Sequence, residues 1–260
     1  MAPDQLIAVL EEDPELGETL APERLAGARA HARARSLHVE SVLPGGWPAE
    51  VRHGLGLLVL GGLLIRRVGL EGRFGAELLG HGDLLRPWQT EEGAASIPQS
   101  SAWRVLQRAR IAVLDLEFAR RIAAYPELHG QLIARALRRS RHMAVGMAIM
   151  HQPKVETRLL LLLWQLADRW GKVRTDGVLL PVRLTHVTLS ELIGARRPTV
   201  SGALGALERD GHISRNAAGW VLHGAPPGGV ETAPAAGESR EAQTGPARGP
   251  APLASSWRAH

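Results

Sequence analysis

The chain has no cysteine in its 260 residues, which excludes disulfides, thiolate metal sites and cysteine-held iron–sulfur clusters. Lysine is almost as scarce. Lys154 and Lys172 are the only two, so basic charge is nearly all arginine. No apolar run approaches the length of a membrane span; the longest patch, 159–164, reads as part of an amphipathic helix. The opening residues MAPDQLIAVLEEDPEL are acidic and lack the basic segment and apolar core of a secretory leader. These absences predict a soluble cytoplasmic protein without a membrane partner. Enzyme signatures are missing as well: there is no nucleophile elbow, phosphate loop or metal triad. Asp83, His81 and Arg86 are close in sequence but have no base–orienter arrangement, so no catalysis is predicted.

The charge that is present is unevenly spread. Residues 1–126 carry two more acidic than basic side chains, 127–153 three more basic, and 154–224 four more basic, while the segment from 225 balances. The positive surplus lies toward the C-terminal half, where a phosphate-backbone partner would need it.

The same half holds the most informative motif, LTHVTLSELIGARRPTVSGALGALERDGHISRNAAGWVLHG, from Leu184 to Gly224. Thr188 with Glu191 three residues on suggests a capping box opening a short helix, 189–193. Gly194 is the residue type expected where a tight turn needs positive φ. Arg197-Pro198 suits the first turn of a second helix. Val200, Ala203, Leu204 and Leu207 recur on one face of that helix, while Arg196, Arg197, Thr199 and Ser201 lie at its N-terminal, opposite side. Gly211 stops it, and alternating segments around Asn216-Ala-Ala-Gly219 read as a two-stranded wing. A short helix, a glycine turn and a second helix at this spacing predict a winged helix-turn-helix that holds double-stranded DNA. Arg196, Arg197, Thr199, Ser201 and Thr188 are its candidate contacts. A packing module of two helices and a hairpin is the bland alternative.

Upstream, 6–38 reads as helix in pieces, with Pro14 and Pro22 at starts or breaks. Short apolar runs at 37–43, 55–60, 63–68, 74–79, 103–106 and 111–115, punctuated by glycine, predict a small β-barrel or jelly roll. Pro126 opens a long helical pattern to about Met150. Leu128, Leu132, Ile133, Ala136, Met143, Met147 and Met150 form an apolar stripe along it, while Arg138, Arg139 and Arg141 read as a solvated cluster. Packing of this helix back on its own barrel is the alternative; a stripe this long between a β domain and a DNA-binding domain instead predicts pairing with a second copy. Leu128, Leu132, Ala136, Met143 and Met147 would form the dimer contact. An amphipathic helix, 155–170, and a hairpin, 173–182, with an Asp176-Gly177 turn lead into the motif. The segment 225–260 is rich in Gly, Pro, Ala, Glu and Ser, and its composition predicts disorder.

This order of parts resembles the Crp/Fnr family, the cyclic-AMP receptor type. The resemblance spans roughly 6–224. It implies an α+β chain with an N-terminal cyclic-nucleotide-binding-like β jelly roll (1–125), a long dimerisation helix (126–152) and a C-terminal winged helix-turn-helix (153–224). It also implies a homodimeric transcription regulator with a palindromic DNA site, a possible RNA polymerase contact and nucleoid association when bound. The family's recognition helix commonly opens Arg-Glu-Thr-Val, with a second arginine three residues past the threonine. Here Arg197, Pro198, Thr199, Val200 and Gly202 stand at those positions, so Arg197 is the candidate guanine reader and the half-site should differ from the usual one. Arg196 is the candidate phosphate contact, and Thr199 meets phosphate or a thymine methyl.

On the sensory side the family's cyclic-AMP cassette has Gly-Glu-Leu followed by Arg-Ser. Gly82-Asp83 matches the turn before it, but no glutamate follows and no arginine precedes Ser100-Ser101. The sequence therefore argues against cyclic AMP as effector. Arg86 and Trp88 are candidates for another ligand pocket. Haem, also used in the family, has possible ligands in His81, His129, His142 and His151, but none of these histidines shows a diagnostic spacing. The effector is left unidentified, and a constitutive architectural DNA-binding protein is the alternative reading.

Overall fold

The computed structural model describes residues 5–40, 47, 53–87, 97 and 100–228. Trp88 and nearly all of the predicted tail lie outside them. In chain order, β1 (Gln5–Ala8), α1 (Val9–Glu12), a 3-10 turn (Pro14–Gly17) and α2 (Pro22–His31) precede β2 (Arg33–Val39). Both prolines begin elements as expected, because a missing N–H costs nothing in a first turn. The helix read in pieces over 6–38 instead ends at His31. Arg33–Val39 then crosses into the sheet, with Ala34 turned toward the N-terminal helices and Leu37 and Val39 on the other face in the inner cluster.

The sheet continues with β3 (Gly56–Leu70), β4 (Arg73–Leu79), β5 (Leu84–Leu85) and β6 (Ser100–Leu114). Its order is β1-β2-β6-β3-β4, with β5 paired to the start of β3, and every pairing is antiparallel. Two pairs of predicted strands are fused here. Residues 55–60 and 63–68 belong to one strand, as do 103–106 and 111–115. Gly61-Gly62 does not turn the chain but bulges it, with register shifts against β6 from Val59 to Leu64. Gly62 sits at φ +83, and a Cβ there would lie 2.1 Å from the Arg108 carbonyl.

The bulge changes which side chains face where. Before it, Leu57 and Val59 join the inner cluster with Ile111 and Val113 of β6, and Leu58 and Leu60 face the N-terminal helices. After it, Leu64 joins the inner cluster, while Leu63 and Ile65 pack against the C-terminal domain. One extra residue switches the parity of a strand. One sheet thereby serves two helical layers.

Next come α3 (Leu116–Arg121), capped by the Asp115 carboxylate on the Phe118 N–H, and α4 (Pro126–Met150). Then α5 (Val155–Trp170) leads to β7 (Lys172–Arg174), β8 (Gly177–Leu180), α6 (His186–Ile193), α7 (Arg197–Arg209), β9 (Ile213–Asn216) and β10 (Gly219–Leu222). These last strands form a four-stranded sheet in the order β7-β8-β10-β9. One hydrophobic cluster runs from Leu63, Ile65 and Leu78 of the first sheet through α5, α6 and α7 to Trp220. Among the described residues no helix is long and apolar enough to cross a membrane.

The stripe along α4 divides differently from the sequence reading. Leu128 and Leu132 are buried in the core made with the N-terminal helices, so they cannot also meet a second copy. Ile133, Leu137 and Met147 are more than 60% exposed, and with Ser140 and Ala144 they recur at alternating four- and three-residue steps. Arg139, read as solvated, holds Glu77 through two bonds of 2.6 and 2.9 Å. Arg135 is buried and bonds Asp13 at 2.8 Å, Glu15 at 3.1 Å and the Gly82 carbonyl at 3.3 Å.

Candidate DNA interface

The N-cap of α6 is Thr185, not Thr188: the Thr185 hydroxyl accepts from the Thr188 N–H at 3.1 Å. Thr188 is 3% exposed, and its own hydroxyl lies 3.0 Å from that of Thr185. It belongs to the cap and core, so its side chain is not presented to DNA. The capping box is absent for the same reason. Glu191 instead reaches the first sheet, 2.6 Å from Arg104 and 3.9 Å from Arg67. Two threonines three residues apart make the same local signal, and only the burial of Thr188 distinguishes them.

Gly194 closes α6 in the left-handed region at φ +62, ψ +37, as the tight turn requires. Arg196 then stands in extended conformation as the N-cap of α7, with Pro198 in the first turn. Val200, Ala203, Leu204 and Leu207 are all buried, which fixes the roll of the helix about its axis. Arg196, Arg197, Thr199 and Ser201 are correspondingly exposed. Neither arginine makes an ion pair among the described residues, whereas Arg104, Arg135, Arg139 and Arg169 all do. No side chain caps the first amides of α7. A helix start with open N–H groups and unpaired guanidiniums is suited to phosphate and base edges. Ser201 is less free. Its hydroxyl donates to the Arg197 carbonyl at 3.1 Å and lies 2.8 Å from His186 Nδ1, tying α7 to α6.

The wing is set by its own turn. The Asn216 carboxamide accepts from the N–H groups of Ala218 and Gly219, at 2.9 and 3.0 Å. Arg183, just before α6, donates to the Ala217 carbonyl at 2.8 Å, and Arg215 lies 4.4 Å over the buried Trp220 ring. Arg183 and His186 were missed in the sequence because nothing local marks side chains that reach across 34 and 15 positions.

The junction between the first sheet and α5 is also built from distant residues. Asp83 is 5% exposed in the turn after β4. Its carboxylate receives the Gly80 N–H at 2.8 Å and Arg169 of α5 at 2.5 Å. Burial pushes the Asp83 carboxyl above its ordinary range, opposed by Arg169 and the Gly80 amide. Burial likewise pushes the His142 imidazole down, with Arg169 adding to the effect. Of the predicted ligand-pocket pair, Arg86 is exposed just after β5. Two cavities in the described residues lie elsewhere, between the first sheet, α4 and α5. Among the described residues no three His, Asp or Glu side chains gather as a metal site.

Residues 157–223 match the Crp-like helix-turn-helix domain family. Several solved structures share the fold. A CooA mutant from Carboxydothermus hydrogenoformans is 17% identical with TM-score 0.53, over 81% of this chain and 89% of that one. FixK2 from Bradyrhizobium japonicum is 16% identical with TM-score 0.53, over 74% and 93%. A cyclic nucleotide-binding domain containing protein from Listeria monocytogenes EGD-e is 14% identical with TM-score 0.54, over 72% and 88%. No curated protein matches the sequence.

Proposed function

We propose that this Crp/Fnr-type chain, with a Crp-like helix-turn-helix domain on the Crp/Fnr fold, is a sequence-specific transcription regulator that binds DNA as a homodimer. The observation that carries this reading is the first turn of α7. There Arg196, Arg197 and Thr199 are exposed and the amides are uncapped, on a helix whose opposite face is locked in the core. Arg197 reads guanine, Arg196 holds phosphate and Thr199 meets phosphate or a thymine methyl. Dimerisation runs along the exposed seam of α4, through Ile133, Leu137, Ala144 and Met147, with Ala136 and Met143 beside it. A two-fold pair would place two α7 helices in successive major grooves.

DNA binding is modulated by an effector other than cyclic AMP, because the chain lacks the glutamate and the arginine of the nucleotide cassette. The protein acts in the cytoplasm, on nucleoid DNA. Selection of bound duplexes from a random library by the purified full chain tests the reading. Enrichment of an inverted repeat is the expected result. Uniform recovery of unrelated sequences would replace it with an architectural role.

A further inference from the structure

The larger cavity, about 240 Å³, lies where the sensory sheet, α4 and the DNA-binding domain meet. Its walls are mostly apolar, with Val68 and Leu78 from the β3–β4 hairpin, Met143 and Met147 from α4, Leu166 from α5 and Leu192 from α6. An aliphatic cavity of ~150 Å³ is enough to hold benzene. This one has room for a ring and a small substituent.

Two glycines line it, Gly146 half-buried and Gly75 exposed at its rim. Gly146 sits inside the 25-residue helix α4 and Gly75 inside strand β4, positions where glycine weakens the element. A Cβ at either would meet nothing within 4 Å, and both line the cavity. No steric demand within the chain explains them.

The polar part of the wall carries a surplus of positive charge. Arg66 and Arg139 share one carboxylate, Glu77, at 3.2 and 2.6 Å, while Arg169 is neutralised by Asp83. Two buried nitrogens of wall residues have no partner, Arg66 Nε and His142 Nδ1. Buried polar atoms without partners are rare in native folds and call for an explanation.

We propose that this cavity binds a small apolar monoanion of the aromatic-carboxylate class, its ring among the methionines and its carboxylate on Arg66 and His142. Because the walls come from the sensory sheet, the connecting helix and the DNA-binding domain, such a ligand contacts every part that must move in regulation. The inference rests on the regulator reading only for that last consequence.

Of the four methionines in the chain, Met143, Met147 and Met150 line the cavity. Methyl-labelled methionine NMR of the full chain, titrated with benzoate and with its uncharged isostere nitrobenzene, therefore reads occupancy directly. Benzoate should shift the three cavity methyls saturably. Gly146→Leu, or Gly75→Val from the opposite wall, should abolish the shifts by both probes. Arg66→Met and His142→Leu should each weaken benzoate at least tenfold and leave nitrobenzene unchanged. The inference is overturned if neither probe moves the cavity methyls, or if shifts persist in both filled-glycine variants. It also fails if the shifts are confined to Met143 and Met147, which border the proposed seam, and Met150, outside the named seam positions, does not respond. Equal loss of both probes in Arg66→Met would overturn the anion assignment. Library selection on the same protein preparation keeps these outcomes separate from the DNA-binding reading.

Discussion

Replacing Arg169 with Met should destabilise the protein far more than removal of a surface charge would. Arg169 is 12% exposed and its partner Asp83 7% at the side chain, so solvent cannot substitute for the lost guanidinium. The substitution leaves the Asp83 carboxylate buried with only the Gly80 amide, and removes a donor from the Leu78 carbonyl at 3.2 Å. Stranding one member of a buried pair costs about 3–5 kcal/mol. For a chain of this size each kcal/mol moves the melting temperature by roughly 2–4 °C, so the expected drop is roughly 6–20 °C.

The pH dependence follows from Asp83. Its folded pKa is already raised by burial, and losing Arg169 removes an opposing influence. The folded state then binds a proton that the unfolded state does not, over the window between the unfolded carboxyl pKa and the raised folded one. Stability falls as pH rises through that window and recovers as pH falls. Urea unfolding of Arg169→Met at pH 7 and pH 5 should show a smaller deficit at pH 5. Asp83→Asn combined with Arg169→Met should recover most of the loss, since no charge remains buried. A deficit under about 1 kcal/mol, or a double variant no better than the single one, would refute the reasoning.

Arg197→Ala should lose about 1–3 kcal/mol against the selected half-site and leave unrelated DNA nearly unaffected, measured by competition binding; a uniform loss would make Arg197 a phosphate contact. Leu137→Glu should shift sedimentation from dimer to monomer with the fold retained. Leu132→Asp should instead unfold the N-terminal core, because Leu132 is 4% exposed. Thr185→Ala should cost about 1 kcal/mol in thermal unfolding through the lost cap.

The elements governed by near neighbours were legible in the sequence. A left-handed glycine at 194, a proline in the first turn at 198 and the Val200–Leu207 stripe are local consequences of backbone sterics and helical period. They placed α7 and its exposed arginines. The wing at Asn216-Gly219 was legible because an Asx turn is closed by residues two and three positions away.

Where two local readings were equally sound, only packing chose between them. Thr185 and Thr188 are both capping residues by type, and the burial of Thr188 gave the cap to Thr185. Gly61-Gly62 suits a turn or a bulge, and pairing of β3 with β6 across both sides made it a bulge. The apolar stripe read along α4 is broad, so its sequence does not say which edge of it is inward. The N-terminal core claimed Leu128 and Leu132 and left Ile133 and Leu137 outside. Arg135 with Asp13, Arg169 with Asp83, and Arg104 with Glu191 join residues 122, 86 and 87 positions apart. A charge carries no local mark of its partner, because ion pairing depends on proximity in space. The tertiary fold alone supplied that proximity, and with it the polar wall between the first sheet and the helix-turn-helix domain.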